Sequence, residues 1–270
     1  MISGSLSLSI GAFVGVVLSG GFVWWEIGRY ATPQVPATLF DERRELFAFT
    51  AGLFVGVPLA IAYVLFVTSM ANLALPGALI FLALLVGGSE VAQWALLRTR
   101  FWGQDESGPF YVLGYRVAIG GIISLALVSE YVSLNGVSIP GVALVLVTSV
   151  AVVSLEAAGA LLSVRARPGS GRIGGGPISG AIFGAVGFFL LGIGAASGLE
   201  VGIAAGLVAL LGAALVYRRL RTILATIPAP SAGPREAKPR SGGRYARTDR
   251  PLPSTDERRN DEPGAPGKPI

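Results

Sequence analysis

Long apolar runs separated by short polar stretches occupy the chain as far as Ile227. A helix needs roughly 20 predominantly apolar residues to cross about 30 Å of hydrocarbon. Seven runs predict seven such helices: Ser5–Trp25, Leu46–Ala71, Leu75–Leu97, Phe110–Leu134, Ile139–Ser163, Ile178–Ser197 and Leu199–Tyr217. The first is the weakest, being rich in Ser and Gly, and only a tight turn near Ser197-Gly198 divides the sixth from the seventh. The fold class expected is all-α: a polytopic integral membrane protein with seven transmembrane helices over 1–227 and a disordered C-terminal tail over 228–270.

The polar positions orient these helices. Cytoplasmic loops of membrane proteins carry an excess of Lys and Arg. Arg29, Arg43 and Arg44 follow the first run, Arg98, Arg100 and Arg116 the third, Arg165, Arg167 and Arg172 the fifth, and Arg218, Arg219 and Arg221 the seventh. The connections after the second, fourth and sixth runs carry no basic residue. This alternation fits a cell-membrane protein with its N-terminus outside and its C-terminus cytoplasmic. Trp24, Trp25, Trp94, Phe101, Trp102, Tyr111 and Tyr217 gather near the same expected interface, as membrane-interface aromatics do. The first run has no basic residue before it and no Ala-x-Ala site before Trp24, so it reads as a retained helix and not as a cleaved signal peptide.

The tail is a different material. It holds nine of the 17 Pro residues, nine basic and six acidic residues, and few large apolar ones. Such a segment buries too little apolar surface to offset chain entropy. Its basic part, Arg235 to Arg250, suits contact with anionic lipid, at about 1 kcal/mol per residue near the surface. Nucleic acid is not an expected partner, because no folded domain or aromatic platform accompanies the charge.

Composition narrows the chemistry. The 270 residues are 52% hydrophobic and 14% charged, with a mean hydropathy of +0.66, whereas soluble proteins carry about 25% charged residues. There is no Cys and no His, which excludes disulfides, thiolate nucleophiles, Cys/His zinc sites and His general bases. The only Lys residues, Lys238 and Lys268, lie in the tail, so no membrane-embedded Lys offers a Schiff base. The Gly169–Gly176 cluster lacks the Gly-Lys-Ser/Thr ending of a phosphate loop. A single Pro33-Gln34 pair, without a second copy, makes no family signature. Neither a cofactor nor a metal is implied, and enzymatic activity is disfavoured.

Two segments resemble each other. Leu75–Arg100 and Ile139–Arg167 both begin with an apolar-Pro-Gly step, carry one Glu past the middle, continue into Ala-Leu-Leu and close on Arg-x-Arg. Parallel hairpin repeats over 46–100, 110–167 and 177–221 would follow, with a site between repeats. Convergence on common helix-end signals accounts for the same pattern.

An ionisable side chain within a bilayer costs about 3 kcal/mol on insertion scales and marks a functional candidate. Glu90 lies eight residues before Arg98, and Glu156 nine before Arg165. At 1.5 Å per residue both sit roughly 12 Å in from one interface. Gly87 and Gln93 flank Glu90 at helical spacing, Ser149 and Ser163 lie seven residues either side of Glu156, and Arg116 is the candidate counter-ion. Glu130 and Glu200 fall near turns and receive no role. Asp41-Glu42-Arg43-Arg44-Glu45 reads as a helix start with local i,i+3 pairing. Pro58 is a candidate kink.

Glycines spaced by four allow close helix approach: Gly176, Gly180 and Gly184; Gly198, Gly202 and Gly206; Gly52 and Gly56; Gly11 and Gly15. These faces serve internal packing, with homo-oligomer or membrane-complex assembly the other use. The expected function is a small permease or ion/proton-coupled transporter using Glu90 and Glu156. The alternative is a non-catalytic membrane scaffold or complex subunit whose tail contacts lipid or protein partners.

Overall fold

The computed structural model describes residues 2–30, 42–99, 108–135, 138–164 and 176–225. The tail over 228–270 therefore lies outside the described residues, as do Arg100, Phe101, Trp102, Arg165, Arg167 and Arg172. Seven helices account for the described chain: α1 (Ile2–Tyr30), α2 (Glu42–Ala71), α3 (Leu75–Arg98), α4 (Gly108–Asn135), α5 (Ile139–Val164), α6 (Gly176–Ser197) and α7 (Leu199–Ala225). From α2 to α7 all six are long and apolar enough to cross a membrane, and α1 adds an apolar stretch over Ser9–Trp25. The architecture is that of an all-helical polytopic membrane protein.

Helices suit these segments because a backbone in hydrocarbon must satisfy its own N–H and C=O groups, and an α-helix does so within one segment. Pro76 sits in the first turn of α3, where a missing N–H costs no hydrogen bond. Pro58 does not interrupt α2, which runs unbroken from Glu42 to Ala71. Between α2 and α3 the amide of Ala74 donates to the Ser69 carbonyl at 2.8 Å and closes the turn. One residue, Gly198, joins α6 to α7 with φ +108°, a left-handed conformation that glycine adopts without a Cβ penalty.

The close approaches define the order of the bundle. Gly11 and Gly15 of α1 lie against Leu125 and Gly121 of α4, so α1 and α4 run antiparallel. Gly52 and Gly56 of α2 lie against Tyr115 and Ile119 in ascending order, so α2 and α4 run parallel. Gly202 and Gly206 of α7 pack on Leu144 and Val147 of α5, again parallel. A Cβ at Gly52 would strike the Tyr115 carbonyl oxygen, and one at Gly15 the Gly121 carbonyl oxygen. These glycines bring helices of the same chain together. Gly198 differs from the register it was grouped with: it serves the turn, and its Cα faces open space.

Helices α4 and α5 are the most enclosed. Tyr63, Phe66, Leu85, Tyr111, Tyr115, Ile119 and Phe188 are buried between them and their neighbours, with Tyr63 edge-on to Phe188 at 5.7 Å. The outward faces are apolar: Phe54, Ile80, Ile182, Leu211 and Leu215 are all exposed. A soluble monomer rarely exposes contiguous apolar patches beyond a few hundred Å², whereas lipid tails solvate such faces. Trp24 and Trp94 are also exposed, and the Arg98 guanidinium stacks 3.7 Å from the Trp94 ring centroid.

Candidate functional site

Glu90, Arg116 and Glu156 meet. The Arg116 Nε lies 2.6 Å from Glu156 Oε2, and its Nη1 lies 3.3 Å from Glu90 Oε1. The Arg116 side chain is 3% exposed, that of Glu156 0% and that of Glu90 11%. Three elements supply the three charges. Arg116 stands two turns into α4, Glu156 faces it from the antiparallel α5, and Glu90 approaches from α3. The Ser163 hydroxyl, also on α5, donates to Glu90 Oε2 at 2.9 Å.

Local sequence makes room for this cluster. Three glycines line it closely. A Cβ at Gly120 would lie 3.1 Å from the Val153 Cα and 3.3 Å from the Glu156 Cγ, and one at Gly159 would lie 3.0 Å from Arg116 Nη2. At Gly180 of α6 a Cβ would collide with the Ser163 hydroxyl and lie 3.0 Å from Glu90 Oε1. Gly180 thus belongs both to its four-residue register and to the wall of the charge cluster. Gly184, one turn on, meets only Val86 at ordinary contact distance, and Gly176 is buried at the start of α6.

The seven-residue spacing of Ser149, Glu156 and Ser163 is a stripe along one face of α5. Ser163 binds Glu90, the Ser149 carbonyl accepts from the Ser124 hydroxyl of α4 at 3.3 Å, and the buried Ser149 Oγ has no hydrogen-bond partner. The stripe expected on α3 is placed differently. Gly87 is exposed and its Cα faces open space. The inward face of α3 runs through Leu85, Ser89, Gln93 and Leu96. Gln93 is buried with its Oε1 unpartnered, and the Ser89 hydroxyl bonds back within its own helix, donating to the Val86 carbonyl at 3.0 Å.

Two further readings change. Arg116 is a helix-interior residue and not a loop charge, which leaves Arg98 and Arg100 as the basic residues of that connection. Glu45 does not sit in a solvated helix start. It is buried against α4, beside the Cα of Gly114, with its Oε2 lacking a hydrogen-bond partner. Glu200 is exposed, as its position at the α6–α7 turn implies.

Electrostatics decides what the cluster does. One guanidinium faces two carboxylates, so with all three ionised the group carries a net charge of −1. Opposite unit charges about 4 Å apart attract by roughly 4 kcal/mol at an effective dielectric constant of 20. The Arg therefore holds both carboxylates, and a surplus negative charge remains to be neutralised in a place that water hardly reaches. Among the described residues no group of three or more Asp, Glu, His or Cys side chains gathers as a metal site. Comparison with family models, with curated proteins and with solved structures gave no match.

Proposed function

We propose that the chain is a small permease or cation-coupled transporter, and that the Glu90–Arg116–Glu156 cluster takes up one proton or one monovalent cation per cycle. The observation that carries this reading is the count of groups: two buried carboxyls share a single Arg, so with both ionised the cluster is complete when one positive charge joins it. An ion pair that only holds two helices together is complete with one carboxylate and one guanidinium. A second carboxylate adds a desolvation cost of several kcal/mol that a purely structural pair avoids. Position supports the same reading, because the three charges come from α3, α4 and α5, and a relative shift of any one of these helices changes the cation's coordination. The two similar segments 75–100 and 139–167 supply one Glu each, as a site between hairpin repeats would.

In this account the basic loops and the Pro/Arg-rich tail face the cytoplasm of a cell membrane, and the tail rests on anionic lipid. Within the cluster Arg116 keeps both carboxylates from water, Ser163 fixes the rotamer of Glu90, and Glu156 receives the cation.

The test uses the full chain in liposomes with an imposed proton or sodium gradient and a dye in the lumen. Glu90→Gln and Glu156→Gln are each expected to abolish cation uptake while the purified protein stays folded, its thermal midpoint within a few degrees of the parent's. Truncation after Ile227 is expected to leave uptake intact. If both Gln variants match the parent protein, and truncation alone removes co-purifying proteins, the molecule is a membrane scaffold instead.

A further inference from the structure

Helices α2 to α7 are joined in pairs by short turns at the end of the bundle opposite Arg116. Here α2, α4, α5, α6 and α7 leave a cleft of about 340 Å³. Sites for small molecules begin at roughly this volume and combine apolar walls with a few placed polar groups. The walls fit that description. Val67, Leu127, Leu144 and Leu191 supply apolar surface, and Glu130 and Thr148 supply polar atoms. Among the described residues of the lining, Glu130 alone carries a formal charge. Among the described residues no Arg or Lys is paired with it.

A second observation comes from α2. Tyr63, one turn before Val67, is fully buried and its hydroxyl has no hydrogen-bond partner. That hydroxyl lies within electrostatic reach of the Glu130 carboxylate. The cleft therefore holds a carboxylate among apolar walls, and the unsatisfied Tyr63 hydroxyl lies outside its lining, one turn of α2 before Val67. A hydrated inorganic cation would waste those walls, and an anion would be repelled by Glu130. A neutral apolar molecule, such as a lipid chain, would leave the carboxylate half-desolvated and unpaired, which is unfavourable.

We propose that this cleft binds a small organic cation with an apolar body, its ammonium on Glu130 and its apolar part against Val67, Leu127, Leu144 and Leu191. The site is separate from the charge cluster. Thr148 precedes Glu156 by eight residues on α5, about 12 Å along the helix at 1.5 Å per residue.

The experiment titrates the full chain in nanodiscs with phenethylammonium, 2-phenylethanol and 3-phenylpropionate, which share one apolar body and differ in charge. Saturable binding of the ammonium is expected, about tenfold or more tighter than that of the alcohol, with no binding of the carboxylate. Glu130→Gln should remove the preference for the ammonium without moving the thermal midpoint, and Ala195→Phe should fill the cleft and block both ligands. Glu156→Gln should leave binding unchanged. Equal affinity for ammonium and alcohol would mark a lipid or solvent cavity and overturn the proposal. So would a preference that survives Glu130→Gln, or no saturable ammonium binding at all. Loss of binding in Glu156→Gln would place the ligand at the charge cluster and overturn it likewise.

Discussion

Replacing Arg116 with Ala is expected to cost about 3–5 kcal/mol of stability, the range measured when one partner of a buried ion pair is removed. The reason lies in what is left behind. Glu156 is fully buried and Glu90 nearly so, and without the guanidinium two like charges face each other with only the Ser163 hydroxyl nearby. Removing either carboxylate has the opposite character: Glu90→Gln or Glu156→Gln leaves one anion beside one cation, a balanced pair. Each Gln variant should therefore fall within about 0.5–1.5 kcal/mol of the parent, the usual loss for one hydrogen bond. Arg116→Lys should lie between these limits, because an ammonium is a point charge and cannot present Nε and Nη1 to two carboxylates at once. Combining Arg116→Leu with Glu90→Gln and Glu156→Gln should recover most of the loss, since the effects of contacting residues do not add. Thermal unfolding of the purified chain in one detergent measures all five. Equal losses for the Arg and Glu single variants would show that the three groups do not form one cluster.

Gly180→Val is expected to damage both the stability of the bundle and the charge cluster. A Cβ there collides with the Ser163 hydroxyl and crowds Glu90 Oε1, and the Gly159 carbonyl oxygen lies 3.2 Å away. The neighbouring atoms include backbone, which cannot turn aside as a long side chain can. Overpacking of this kind costs about 1–3 kcal/mol, and here it also separates Glu90 from Arg116. Both the thermal midpoint and cation uptake should fall. Gly184→Ala, one turn further along the same helix, meets Val86 at 3.8 Å. That is ordinary contact, and Ala exceeds Gly in helix propensity by about 1 kcal/mol in soluble hosts. The variant should be neutral or slightly stabilised. Two glycines in one four-residue register thus give opposite results, and a register read only as a packing stripe predicts no such difference.

Helix number and type were legible because hydrocarbon imposes them: each run from Leu46 to Tyr217 is long enough to span and has no other way to satisfy its backbone. Helix ends were less so. Helix α2 starts at Glu42 and not at Leu46, because charged residues extend a helix beyond its apolar core. Glu90, Glu156 and Arg116 stood out as the rare ionisable groups in apolar runs, and the seven-residue rule placed Ser149 and Ser163 on the face of Glu156. What stayed hidden depends on the neighbouring helix. Gly87 satisfies the spacing to Glu90 yet points outward, since only the packing of α3 on α2, α6 and α4 tells which side of the stripe is buried. Glu45 sits in a run of charges with local partners at hand, and nothing in that run discloses the notch at Gly114 that receives it. Gly120 and Gly159 lie outside any regular glycine register, so their place against Glu156 and Arg116 could not be read from spacing. The Glu130 cleft draws on five helices and has no counterpart in a linear pattern.

The most direct test of the shared guanidinium is a dipolar-recoupling measurement by solid-state NMR on the full chain in lipid. The arginine would be labelled with ¹⁵N at Nε and the glutamates with ¹³C at the carboxyl carbon. With Nε 2.6 Å from Glu156 Oε2, Arg116 should show strong Nε–carboxyl dephasing that disappears in Glu156→Gln and persists in Glu90→Gln. An Arg116 signal with no carboxylate coupling in the parent protein, or one unchanged in Glu156→Gln, would contradict the arrangement on which the proposed transport rests.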